Sequence, residues 1–227
     1  MLVVSDLSRT FGNRTVLDRI TCRLGDVPTT FLLGANGAGK TVFLNVVSGF
    51  DRASGGSISW QDKNITRLHP TAIAKRGIAR AFQIPRLVPS LAVWQHIALS
   101  VTGRYASVLE KDENVLQWAS ASGLLDRLET QAMQLSAGQR KMLSLAMCLA
   151  REPKLALLDE PFAGVSKENR RLIRAILESS RQRLRFVIIE HDHGAVAEFA
   201  DRAIVMDRGK LVADGSWADI RHWHHRI

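Results

Sequence analysis

The sequence predicts an α/β fold with three parts: a mainly parallel sheet core, an antiparallel β-subdomain at the N-terminus and an inserted α-helical subdomain. Three observations predict it. Two short apolar runs, Leu2 to Leu7 and Val16 to Leu24, are joined by the turn-like FGNR from Phe11, as in a hairpin. From about Leu87 to Leu135 the pattern turns mostly helical, with WQHIALSV and NVLQWASASGLL as its clearest segments. Beyond it, short fully apolar runs alternate with helical stretches, the pattern of a parallel sheet covered on both faces.

After the hairpin, TTFLL from Thr29 reads as a strand leading into a Gly-rich loop. VFLNVVSGF continues at helical spacing until Gly49 closes it. GGSISW from Gly55 is expected as a further strand at the edge of the opening sheet. The helical insertion follows, and with the helix after it the expected subdomain covers residues 87–150 of a single 227-residue domain. A helix is expected over Arg140 to Ala150, a strand at Leu155 to Leu158 and a helix over Asn169 to Ser180. A strand at Phe186 to Ile189, a helix over Gly194 to Ala200 and a strand at Ala203 to Val205 complete the alternation.

Composition fits such a fold, with 46% hydrophobic and 23% charged residues, far from the disordered class. No run approaches the ~18 to 20 apolar residues of a membrane helix. Even LSLAMCLA from Leu143 is interrupted by Ser144 and stops at Arg151, so a soluble chain is expected. Asp6 and Arg9 stand where an export signal would need an apolar stretch. Cys22 and Cys148 have no ligand-spaced partner, which argues against a disulfide framework or a zinc site and fits a reducing cytosol. The net charge of +9 would suit nucleic acid, an anionic membrane surface or nucleotides. Its densest region, residues 170–185, spaces its arginines along an expected helix and its exit, the pattern of a solvated face.

The chemistry lies in two segments. Gly34-Ala35-Asn36-Gly37-Ala38-Gly39-Lys40-Thr41 fits G-x-x-x-x-G-K-[ST], a loop whose backbone N–H groups surround phosphates. Its glycines let the backbone turn without a side chain in the way, and the following helix aims its positive end at the anion. Lys40 supplies a point charge toward the β- and γ-phosphates, and the Thr41 hydroxyl can ligate Mg²⁺. Downstream, LALLDE ends an apolar strand in two carboxylates. Asp159 is placed to hold Mg²⁺, and Glu160 to polarise an attacking water.

LSAGQ, Leu135 to Gln139, stands shortly before LALLDE and resembles the signature motif of the ABC ATPases. Gly34 to Thr41 resembles the family's Walker A motif, and Asp159 with Glu160 its Walker B pair. Gln83 resembles the Q-loop glutamine, His191 in IIEHD the switch histidine, and Phe11 the aromatic that stacks on adenine. Read only as structure, Phe11 is a hairpin core residue, Gln83 a polar strand end and His191 a satisfied histidine after a strand.

The resemblance implies a P-loop NTPase of RecA-like fold that binds ATP and Mg²⁺ and hydrolyses ATP. Two such domains would pack head to tail, each ATP lying between Walker A of one and Ser136, Gly138 and the helix start after Gln139 of the other. Gln83 would touch Mg²⁺ and the water, and His191 would hold the γ-phosphate and water in line with Glu160. The implied partners are transmembrane permease subunits, a second ATPase subunit and a periplasmic or extracellular substrate-binding protein. The implied location is cytoplasmic, peripheral on the inner face of the cell membrane.

RAFQIPRLVPSLAVWQHIAL and FADRAIVMDRGKLVADG resemble ATPases serving branched-chain amino-acid and related amide or urea importers. EPFAG also occurs in the related lipopolysaccharide-export ATPases. A soluble ABC ATPase acting on nucleic acid or the ribosome is a further class, but the chain has neither the long coiled-coil insertion nor the second ATPase domain of those members. No nucleic-acid partner is expected. One departure from the family pattern follows Walker B, where Ser166 of Ala163-Gly164-Val165-Ser166 replaces the D-loop Asp and points to a heterodimer with a second ATPase chain. A metal site built from His222, His224 and His225 of the tail is disfavoured, since no carboxylate or Cys joins them at ligand spacing.

Overall fold

The computed structural model describes residues 1–102, 113–191, 194 and 198–221. Two sheets organise it. A four-stranded antiparallel sheet has the order β2-β1-β4-β5, made of β1 (Leu2–Phe11), β2 (Arg14–Leu24), β4 (Gly55–Trp60) and the two-residue β5 (Lys63–Asn64). GGSISW therefore lies one strand in from the edge, because Trp60 and Ser59 pair with β5. The six-stranded sheet has the order β10-β9-β3-β8-β7-β6. Its strands are β3 (Thr29–Leu33), β6 (Ile78–Ala81), β7 (Leu155–Asp159), β8 (Arg185–Ile189), β9 (Arg202–Asp207) and β10 (Lys210–Gly215). The first five run parallel, and β10 pairs antiparallel with β9.

Alternation along the parallel strands explains why they read as unbroken apolar runs. Ala156, Leu158, Phe186, Ile188, Phe31 and Val205 face one core, while Leu155, Leu157, Val187, Ile189, Leu32 and Ile204 face a second. Both faces are covered. The second core joins the antiparallel sheet and α1 (Lys40–Val47) to the main sheet. The first joins it to α3 (Val93–Thr102), α4 (Glu113–Ala121), α5 (Ala137–Leu149) and α6 (Lys167–Ser180). Short α2 (Pro70–Ala74) precedes β6, and α7 (Trp217–Ile220) follows β10.

The boundaries differ from the sequence expectations where capping decides them. α5 begins three residues before Arg140, because Ser136 and Gln139 form a reciprocal capping box. α6 begins at Lys167 because the Ser166 hydroxyl accepts the Asn169 N–H at 3.2 Å. Three strands are additions to the expected set: the two-residue β5; β6, which carries the charged Arg80; and β10, whose residues alternate between exposed and half-buried. Of the helix expected over Gly194 to Ala200, only residues 194 and 198–200 are described, and His222, His224 and His225 lie outside the described residues.

Candidate active site

Four neighbouring parallel strands, in the spatial order β3-β8-β7-β6, end at one edge of the sheet, and each delivers a predicted site segment. β3 runs into the loop at Gly34, β8 leads to His191, β7 ends at Asp159 and β6 leads to Gln83. Ligand sites of open α/β sheets sit outside these carboxyl ends, since the loops there can converge without disturbing the core. A cleft of about 530 Å³ lies there, lined by Asn36 to Val42, Gln83, Glu160 and His191, with Arg14 and Val16 from the hairpin.

The loop is shaped by its glycines. A Cβ on Gly34, at φ +144°, would lie 2.2 Å from the Met206 carbonyl oxygen, so only glycine lets the loop leave β3 beneath β9. Gly39 at φ 102° is the N-cap of α1 and supplies no side-chain hydrogen bond, and no acidic residue stands in the first turn. The first N–H groups of α1 are thus without a side-chain cap, ready for an anion. Lys40 is only 6% exposed, and its Nζ donates to the Gly34 carbonyl and, at 2.9 Å, to the Ala35 carbonyl. Burial pulls its pKa down against the opposing pull of Glu160 and Asp159.

Glu160 is the hub of the cleft. It takes φ 50°, the left-handed region, and its N–H donates to the Ile189 carbonyl at 2.9 Å, which turns the side chain off the end of β7. Gln83 Nε2 donates to its Oε2 at 2.7 Å, and His191 Nε2 stands 3.4 Å from its Oε1. Gln83, Glu160 and His191, from three separate segments, therefore meet. Asp159, at the end of β7, is buried and is not among the residues that line the cleft, its Oδ2 bound by Arg80 at 3.0 Å. Burial pushes this carboxyl up, with Arg80 opposing. Its Oδ1 is buried without a hydrogen-bond partner, while Thr41 stands near enough to favour the charged form slightly. A partnerless buried carboxylate oxygen beside a hydroxyl fits a hard cation such as Mg²⁺. Among the described residues no three His, Cys, Asp or Glu side chains converge as a metal cage, so the remaining ligands would come with the nucleotide.

The other predicted residues lie apart. Ser136, Gly138 and Gln139 do not line the cleft. Ser136 Oγ accepts the Gln139 N–H at 3.2 Å, and Gln139 Oε1 accepts the Ser136 N–H at 2.9 Å. Phe11 also lies outside the cleft lining, 45% exposed, with the Arg9 guanidinium 4.1 Å from its ring centre. Arg14 and Val16 occupy the hairpin side of the cleft instead, and no motif in the sequence marks them. Two charged groups that sequence reasoning passed over brace the site. Buried Glu190 accepts the Phe162 and His191 N–H groups at 2.7 and 3.0 Å, and Lys141 Nζ donates to the Ala163 carbonyl at 2.6 Å.

A phosphate loop, a carboxylate pair at the end of the next strand but one, and Gln83 and His191 at the oxygens of Glu160 define a P-loop ATPase. Residues 17–163 match the family model described as ABC transporter. The chain is 31% identical over 236 residues to the probable branched-chain amino acid transport ATP-binding protein LivG of Archaeoglobus fulgidus, covering 97% of this chain and 91% of that one. It is also 31% identical over 240 residues to the high-affinity branched-chain amino acid transport ATP-binding protein LivG of Escherichia coli, covering 98% and 94%. A crystal structure of the ADP conformation of an ATP-binding cassette of an ABC transporter superposes with a TM-score of 0.82 at 28% identity, covering 99% of this chain and 94% of that one. The chain belongs to the ABC transporter family and is its ATP-binding, ATP-hydrolysing cassette.

Proposed function

We propose that this cassette energises import of branched-chain amino acids or related small amides through a separate membrane permease. The observation that carries the reading is the likeness along nearly the whole chain to LivG-type ATP-binding proteins. No helix among the described residues is long and apolar enough to cross a membrane, which supports a permease on other polypeptides and a place for this chain on the inner face of the cell membrane. A substrate-binding protein delivering the solute is the third partner.

In the proposed cycle the backbone N–H groups of Gly37 to Thr41 and the Lys40 ammonium hold the β- and γ-phosphates, Lys40 leaving the Gly34 and Ala35 carbonyls to do so. Thr41, Asp159 and Gln83 would hold Mg²⁺, which when bound neutralises developing charge on the phosphates. Glu160 accepts the proton of the attacking water, and Gln83 and His191, already at its two oxygens, keep that water in line. Arg14 and Val16 border the base end of the cleft, with Phe11 an exposed ring on the same hairpin. The γ-phosphate is completed by Ser136, Gly138 and the start of α5 from a second cassette, because this chain's own copies of those residues stand outside its cleft. A different ATPase chain is the favoured partner, for the reason given by Ser166.

Reconstitution tests the reading. In lipid with a permease for branched-chain amino acids, ATP turnover should rise, and rise again when a binding protein loaded with a branched-chain amino acid is added. Activation by DNA or ribosomes with no response to any permease would overturn it.

A further inference from the structure

Arg80 is an unusual residue for its place. It sits inside parallel strand β6, its side chain 2% exposed, between the apolar residues Ala79 and Ala81. A buried guanidinium needs its charge matched. Nη2 donates to Asp159 Oδ2 at 3.0 Å and Nη1 donates to Ser48 Oγ at 3.1 Å, while Nε is buried without a hydrogen-bond partner. Ser48 is the C-cap of α1, so the cation also lies at the negative end of the helix whose other end opens the phosphate loop. Outward, the guanidinium faces the Phe82 ring at 4.8 Å, in the residue preceding Gln83.

This fork ties together the two elements that would share a nucleotide-bound cation, α1 through Ser48 and β7 through Asp159. It occupies one oxygen of the carboxylate and leaves the other, Oδ1, with no hydrogen-bond partner. A carboxylate free to rotate in a buried site would present either oxygen, or neither, to an incoming metal. One whose Oδ2 is held by a planar donor keeps Oδ1 in a single orientation. We propose that Arg80 is the positioning residue of the metal site: held between Ser48 and Asp159 Oδ2, it fixes the Asp159 carboxylate so that Oδ1 is offered to the cation. The inference rests on the metal-holding role proposed above for Asp159. Arg80 itself touches neither metal nor nucleotide and acts only through that carboxylate.

The test measures the Mg²⁺ concentration that half-saturates binding of a fluorescent, non-hydrolysable ATP analogue to the purified chain, so no turnover is involved. Asp159→Asn alone should raise that concentration, and an unchanged value would refute the metal role of Asp159 rather than the role of Arg80. Arg80→Met should raise it roughly 10- to 100-fold, as loss of an outer partner of a metal ligand does, with analogue affinity in the absence of Mg²⁺ unchanged. Arg80→Lys, which keeps the charge but not the fork, should fall between. Should Arg80→Met fail to fold with Asp159 left uncompensated, the comparison of Asp159→Asn with Arg80→Met/Asp159→Asn carries the same test, since both buried charges are then gone. In that background removing Arg80 should change nothing. An equal shift in both backgrounds, a Mg²⁺ requirement untouched by Arg80→Lys, or a tighter Mg²⁺ response in Arg80→Met would overturn the proposal.

Discussion

The phosphate loop and the signature loop are each a turn that feeds a helix, and the chain treats the two helix starts in opposite ways. α1 is entered through Gly39, with no side-chain cap, so its N-terminal donors face an open cleft together with Lys40 and Thr41. α5 is entered through Ser136, whose hydroxyl already accepts the Gln139 N–H, and no part of it reaches the cleft of its own chain. One is finished within a single polypeptide. The other is a locally satisfied helix start, and the phosphate-binding use proposed for it needs a second cassette. Anion affinity and structural self-sufficiency compete for the same few N–H groups at a helix start, and here each loop has been given one of the two.

Four substitutions sharpen or break this contrast. Glu160→Gln should have the largest effect: turnover, followed by phosphate release, falls ~10² to 10⁴-fold while ATP binding persists, because the amide keeps the shape and loses the base. A size-exclusion column should then show an ATP-dependent dimer, and a monomer with normal turnover would remove Glu160 from the mechanism. Lys40→Ala comes next, since a charged hydrogen bond is worth ~1.5 to 3 kcal/mol, or roughly 10- to 150-fold in affinity. Titration of the isolated chain with a labelled ATP analogue measures it. Ser136→Ala should leave that titration unchanged, cost about 1 kcal/mol of thermal stability through the lost cap, and abolish the dimer of the Glu160→Gln chain. If Ser136→Ala weakened ATP binding by the single chain, the two loops would not divide the work as described.

The smallest effect is expected at Ser166. It caps α6, and Asp caps a helix about as well, so Ser166→Asp should leave stability unaltered. Any contact across the dimer would gain charge assistance, from ~1 toward ~1.5 to 3 kcal/mol, and tighten ATP-driven self-association of the Glu160→Gln chain. Sedimentation showing equal homodimers with Ser and Asp would leave the cap as the whole role of Ser166 and remove the argument for a different partner chain.

How much was legible follows from how local each signal is. Gly34 to Thr41 could be read as one loop because contiguous residues supply both its glycine conformations and the helix start at Lys40. β7 and β8 could be read because strands buried on both faces need apolar side chains at every position. β6 could not, since its Arg80 is acceptable inside a sheet only because Asp159, 79 residues away in sequence, stands beside it. Arg14 and Val16 were missed and Phe11 expected in the cleft for a similar reason: which hairpin residues reach it depends on how the antiparallel sheet docks over α1.

By itself, then, the sequence determined most of the elements and marked the candidate loops, because helix caps, glycine turns and apolar alternation act over a few neighbouring residues. Only the tertiary structure decided that Gln83 and His191 would both meet Glu160, and that Arg80 would hold Asp159 Oδ2 while Oδ1 stayed without a partner. The order β3-β8-β7-β6 brings those segments to one edge, and strand order is set by how two hydrophobic cores are covered at once, which no single segment encodes.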